Sequence, residues 1–269
     1  MSKGDFAGRV YLGTGGSQGV GGAIAEALAR AGAAGVVIGG RDTRRGEQAA
    51  RRLEKLGTTA RFVAGELAEV ADCRALVAAA DSSFGRLDGL VNAAGLTERG
   101  TVDDTTPELW DRLFAVNVRA PFFLSQGAVA LMRRKKKAET RAPGAQAGAI
   151  VNIVTMSSYG GQPKLTPYAA SKGALVTLTK NLAHALRKDR IRVNGINLGW
   201  TDTPNEHAVQ KAEGQPRDWL KKAEARQPFG RLVKPQDVAS LALFLLGPAS
   251  GIMTGAVVDC DQMVMGAYD

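Results

Sequence analysis

Short runs of aliphatic and β-branched residues recur along the chain, and most are followed by a longer stretch whose apolar positions have helical spacing. The runs at 9–12, 35–39, 60–64, 86–91, 150–156, 191–196 and 253–259 predict strands. Helical patterns fill 23–31, 43–56, 69–84, 106–132, 168–188 and 234–246. This alternation predicts an α/β fold, a doubly wound parallel sheet with helices on both faces. No repeat or shift of composition divides the chain, so residues 1–269 are expected to form one domain. Two stretches break the alternation. Residues 133–148 lose all period and end near Pro143-Gly144, which predicts a loop insertion. Residues 204–227 are polar, contain Pro216 and Trp219, and predict a mobile substrate flap.

Composition narrows the class. Hydrophobic residues make up 45% of the chain, enough for a real core, and no apolar run reaches the length of a membrane span. The opening Met1-Ser2-Lys3-Gly4-Asp5 lacks the apolar segment of a secretion signal. Cys73 and Cys260 make neither a disulfide framework nor a zinc spacing, and His184 and His207 are too few for a His-based metal site. A reducing cytoplasm is the expected location, and no metal is expected. Net charge is +9, and much of it sits in Arg133-Arg134-Lys135-Lys136-Lys137. A solvated loop accounts for such a run. No aromatic residues interleave with it as a nucleic-acid surface would need. Membrane and nucleic-acid partners are therefore not expected.

The candidate chemistry gathers at strand ends. The first strand runs into Gly13-Thr14-Gly15-Gly16-Ser17-Gln18-Gly19-Val20-Gly21-Gly22 and then a helix. Glycines there let the backbone turn tightly against a pyrophosphate, and the helix N-terminus offers it free N–H groups. The second strand ends in Gly40-Arg41-Asp42, where such a sheet reads the adenosine ribose. Arg41 can pair a 2′-phosphate, which favours NADP(H), while Asp42 could take the ribose and keeps NAD(H) open. Glu66 and Leu67 follow the third strand, beside the expected adenine. Asn92-Ala93-Ala94-Gly95 follows the fourth, where small residues admit a flat ligand. Asn117 sits among apolar neighbours, and a polar amide there needs partners; it reads either as a surface residue or as a fixed amide holding a water. Tyr168 and Lys172 lie one helical turn apart behind Pro167. An ammonium at that distance is expected to lower the phenol's pKa and ready it for proton transfer at a carbonyl or alcohol oxygen.

Taken in order, these motifs resemble the short-chain dehydrogenase/reductase family over nearly the whole chain, from Arg9 to the C-terminus. Thr14, Gly15, Gly19 and Gly21 match its TGxxxGxG turn, Asn92 to Gly95 its NNAG-like motif, and Tyr168 with Lys172 its YxxxK pair. The resemblance implies a Rossmann-like fold and a nicotinamide cofactor held by Gly15, Ser17, Gln18, Gly19, Val20, Arg41, Glu66, Leu67, Asn92, Ala93, Gly199, Thr201 and Thr203, with Tyr168 and Lys172 at its reactive end. It implies Tyr168 as general acid and base, Lys172 as its electrostatic partner and ribose ligand, and Asn117 as anchor of a water relay. The family's Ser falls on Thr155, with Ser157 as the other candidate hydroxyl. The adenine-side Asp is Glu66, and the usual Asp-Gly-Gly near the C-terminus reads Asp259-Cys260-Asp261-Gln262, which makes the substrate end atypical.

The function so implied is interconversion of a secondary alcohol and a ketone, on a small-molecule substrate shaped by Trp200, Trp219 and the 204–227 flap. A homo-oligomer, tetramer or dimer, is expected through the helices carrying Asn117 and Tyr168. The competing expectation is a catalytically weak, cofactor-binding regulator or scaffold that meets an acidic partner through its basic loop.

Overall fold

The computed structural model describes residues 3–139 and 146–267. The strands are β1 (Val10–Thr14), β2 (Gly35–Gly40), β3 (Thr59–Ala64), β4 (Gly89–Asn92), β5 (Gly148–Ile153), β6 (Ile191–Leu198) and β7 (Val257–Cys260). They form one sheet in the order β3-β2-β1-β4-β5-β6-β7 with every neighbouring pair parallel. The order reverses between β1 and β4, so a crevice opens beyond the C-terminal ends of those two strands.

The helices cover both faces. They are α1 (Gly19–Arg30), α2 (Thr43–Lys55), α3 (Val70–Phe84), α4 (Pro107–Phe114), α5 (Ala120–Glu139), α6 (Thr166–Leu186), α7 (Pro204–Ala212), α8 (Trp219–Glu224) and α9 (Pro235–Leu246). Because side chains alternate along a strand, each strand feeds two cores. Val36 and Ile38 of β2 pack with α1, α2 and α9, and Val37 between them packs with α3 and α5. The inner strands are therefore buried on both sides, which is why their runs read as continuous rather than alternating, while the edge strands β3 and β7 expose Arg61 and Asp259.

Three expectations are corrected. The helix foreseen over 106–132 is two helices joined by a wide π turn at Ala115–Arg119. Pro121 explains the break: it has no N–H for the carbonyl four residues back, that of Asn117. The basic run is not a loop where it is described, because α5 continues through it to Glu139. Arg133 pairs with Asp189 at 2.7 Å, and Arg134 pairs with Asp81 at 2.5 Å. The remainder of the expected insertion, 140–145, lies outside the described residues. The 204–227 stretch is not structureless either, since it holds α7 and α8. Thr203 caps α7 by accepting from Glu206 N at 3.1 Å, with Pro204 at its start. No described helix is long and apolar enough to cross a membrane.

Candidate active site

A cleft of about 700 Å³ lies over the crevice between β1 and β4 and continues past β5 and β6. Its adenosine end is built mainly from backbone. Gly15 and Gly19 have φ of 65° and 56°, conformations that favour glycine, and they fold the turn between β1 and α1. At Gly21 an added Cβ would stand 2.5 Å from the Gly15 carbonyl oxygen, so helix and turn touch directly. Gln18 caps α1 without a side-chain bond, which leaves the helix's first N–H groups facing the cleft. The Thr14 hydroxyl accepts from the N–H groups of Ala93 and Ala94, both at 3.1 Å, and so ties the ends of β1 and β4 together. A cradle of glycines, a bare helix N-terminus and a flat floor fits a dinucleotide.

The predicted cofactor residues are brought together with one exception. Gly15, Ser17, Gln18, Gly19 and Val20 line the cleft. Arg41, Glu66, Leu67 and Ala93 line its adenosine end, and Gly199, Thr201 and Thr203 its far wall. Asn92 is the exception. It is 2% exposed and donates through Nδ2 to Asn152 Oδ1 at 2.8 Å, behind the cleft wall. Asn152 in turn donates to the Thr179 hydroxyl at 2.9 Å, so this pair braces β4 and β5 against α6. Asp42 is also spent. Its carboxylate accepts from Arg45 N at 2.8 Å and Arg45 Nε at 2.7 Å, capping α2, and Arg45 holds its pKa below the usual range. Arg41 is left 68% exposed, 3.9 Å from Glu66.

At the other end, α6 carries Tyr168 and Lys172 on one face, and Thr155 follows β5. All three line the cleft. Lys172 Nζ donates to the Ile153 carbonyl at 2.9 Å. Burial pushes its pKa down to about 8. Burial also pushes the Tyr168 phenol up to about 12, and hydrogen bonding with Thr155 brings it back only in part. The expected lowering by Lys172 is thus corrected. The ammonium is aimed at a backbone carbonyl, and desolvation disfavours both charged forms.

Thr155 and Ser157 are both present at the cleft. The Thr155 hydroxyl lies 3.3 Å from Ser157 Oγ, and Ser157 donates to Gln162 Oε1 at 2.6 Å. Asn117, fully buried, stands one layer back. Its Nδ2 donates to the Leu96 carbonyl and the Ser171 hydroxyl, both at 3.0 Å, and its Oδ1 accepts from Leu96 N at 2.9 Å. The side chain therefore fixes the segment after β4, while Pro121 leaves the Asn117 carbonyl without its usual helical donor.

Sequence reasoning missed much of the substrate end. Arg99, Gln162, Glu206, Gln210, Asp261 and Met263 all line the cleft. Trp200 does as well, but Trp219 is buried behind it, with ring centroids 6.0 Å apart, and does not reach the cleft. Glu206 Oε1 accepts from Trp200 Nε1 at 2.8 Å and Gln210 Nε2 at 2.7 Å. Asp202 holds α7 from below, meeting His207 at 2.8 Å and Lys234 at 2.9 Å. Two sequence signals bore on this end: the 204–227 flap, which carries Glu206 and Gln210, and the Asp-Gly-Gly departure, which carries Asp261.

The family described as enoyl-(acyl carrier protein) reductase matches residues 13–262. A cis-4-hydroxycyclohexanecarboxylate dehydrogenase of Sinomonas cyclohexanicum is 33% identical, over 95% of this chain and 96% of its own. An NADP-dependent (R)-specific alcohol dehydrogenase of Lentilactobacillus kefiri is 32% identical, over 94% and 95%. The crystal structure of a putative short-chain alcohol dehydrogenase from Sinorhizobium meliloti 1021 superimposes with a TM-score of 0.84 at 33% identity, covering 96% of each chain. The chain belongs to the short-chain dehydrogenase/reductase family. As a member of that family it is an oxidoreductase with a Rossmann-like seven-stranded sheet.

Proposed function

We propose that the protein is an NADP(H)-preferring dehydrogenase/reductase that interconverts a secondary alcohol and a ketone. One observation carries the reading: the buried Tyr168 hydroxyl stands beside Thr155, one helical turn from Lys172, in the same cleft as the glycine turn. The nicotinamide group supplies hydride transfer when bound. The chain does the rest. The turn and the α1 N-terminus hold the pyrophosphate. Thr155 donates to the substrate oxygen and fixes its position. Tyr168, protonated at neutral pH, gives its proton to that oxygen in reduction and takes it back in oxidation. Lys172, held by the Ile153 carbonyl, binds the ribose hydroxyls. Asn117 positions the segment after β4 and anchors a water on the path to solvent.

The NADP(H) preference is supported by Arg41 at the ribose end and by the commitment of Asp42 to its helix cap, which removes the competing ribose acceptor. The name of the Lentilactobacillus relative points the same way. An oligomer built through α5 and α6 belongs to the same proposal. Nothing in the described part of the basic run favours a scaffold role.

Calorimetric titration of the purified protein with NADPH and with NADH is the test, because it needs no guess about substrate. NADPH is expected to bind about tenfold tighter, roughly the effect of one charge-assisted pair. Arg41→Ala should close that gap. Equal affinities in the wild type would remove the 2′-phosphate role, and binding of neither cofactor would overturn the oxidoreductase reading for this site.

A further inference from the structure

Among the described residues, the substrate half of the cleft contains a single guanidinium. Of the cations lining the cleft, Arg41 and Arg45 belong to the adenosine end, and Lys172 is buried on the Ile153 carbonyl. Arg99 is what remains. It lies on the segment between β4 and α4, and its positive charge reaches the Tyr168 phenol. Arg99 lines the cleft and its Nε donates to Glu213 Oε1 at 2.7 Å, while its Nη groups make no hydrogen bond to a described residue. A guanidinium fork with its Nη pair unengaged suits a planar, two-oxygen anion.

Glu213 is a weak holder. It caps the C-terminus of α7, just before Gly214, whose φ of 73° ends the helix. Both side chains of the pair are 39% exposed. Half-exposed ion pairs of this kind contribute little, because water and salt screen them, so an arriving anion can replace Glu213 at small cost. The carboxylates that share the cavity do not compete for Arg99. Glu206 is held by Trp200 and Gln210, and Asp261 Oδ1 accepts from Gln262 N at 2.7 Å.

We infer that the substrate is a ketone or secondary alcohol that also bears a carboxylate, and that Arg99 takes this carboxylate in exchange for Glu213. The inference rests on the proposed oxidoreductase function for the reacting end and adds the anchor at the other. It makes Arg99 a specificity-determining residue and the Arg99–Glu213 pair the stand-in for the bound anion.

The test is calorimetric binding to the full chain saturated with cofactor. The probes are levulinate and 5-oxohexanoate, each against its own primary amide. Either or both acids should bind the wild type about tenfold or more tighter than the matching amide. Arg99→Gln should erase that ratio. Glu213→Gln, which removes the internal competitor, should tighten the acid several-fold. Opposite signs at the two positions are the signature, since a purely structural ion pair would be hurt alike by either change. The inference is overturned if neither acid outcompetes its amide in the wild type, or if both variants shift acid binding in the same direction. Turnover of the same four probes separates this from the parent reading. Tight acids that are never reduced would count against the oxidoreductase function and leave the anchor standing. Reduction with no acid preference would count against the anchor alone.

Discussion

The two ends of the cleft are made of different material. At the adenosine end the walls are backbone: glycines at positive φ, a bare helix terminus, and strand tips tied by Thr14. At the substrate end the walls are long side chains from the segment after β4, from α7 and from the stretch beyond β7. Backbone walls tolerate little change, because a single Cβ collides with another main chain. Side-chain walls can be exchanged without moving the sheet. A shared cofactor chemistry and a private substrate can therefore sit in one cleft, and substitutions at the two ends should fail in different ways.

Tyr168→Phe should have the largest effect, because it removes the proposed proton donor while keeping the ring, at the loss of one hydrogen bond with Thr155. Turnover is expected to fall by about 10³-fold or more, at the upper end of what one acid–base group contributes. NADPH affinity by calorimetry should change less than about threefold. Loss of both together would mean that Tyr168 belongs to the binding wall rather than to the chemistry. The pH dependence follows from the burial that lifts the phenol to about 12. Reduction needs the protonated phenol and should stay flat from neutral pH upward. Oxidation needs the phenolate and should climb as pH rises. A reduction rate that falls steeply just above pH 7 would show that cofactor binding lowers this pKa much further than burial raises it.

This contrast also explains what the sequence could reveal. Glycine turns, strand runs and the Tyr168–Lys172 spacing are local, and each is imposed by backbone geometry, so they could be read within a few residues. Pro121 was local too: its missing N–H identifies the break at Asn117, but the apolar pattern across 106–132 masked it. Other features depend on distant partners. Arg99 and Glu213 are 114 positions apart, and nothing in either neighbourhood announces the pair. The commitment of Asp42 to Arg45 could be foreseen as a helix cap, yet the same residue type at a strand tip also signals ribose binding, and only the fold decides between them. The direction of the Tyr168 shift was misread because spacing gives the neighbour but not the burial.

Gly21→Ala attacks the backbone end and should rank next. The new Cβ would lie 2.5 Å from Gly15 O and 2.9 Å from Thr14 O, so the turn must move away from α1. Affinity for NADPH is expected to drop about a hundredfold, corresponding to two powers of ten in Kd. Gly22→Ala is the control, because its nearest neighbour would be 3.5 Å away, an ordinary contact. If both variants bind cofactor as the wild type does, the cradle is not as tight as its geometry implies, and the distinction between backbone and side-chain walls weakens.

The smallest effect, and the finest probe of the substrate end, concerns its two hydroxyls. Thr155 adjoins the phenol, whereas Ser157 is turned toward Gln162 and meets Thr155 at 3.3 Å. Thr155→Ala should cut kcat by about tenfold to a hundredfold, less than the roughly 10²- to 10³-fold of a sole oxyanion donor, because Tyr168 donates to the same oxygen. Ser157→Ala should cost less than about threefold, because it removes only the neighbour that orients Thr155. Thr155→Ser should restore most of the activity, since the hydroxyl and not the methyl makes the bond. A larger loss at Ser157 than at Thr155 would reassign the donor. It would also mean that the residues after β5 rearrange when the ketone binds, as the substrate end, built of side chains, is free to do.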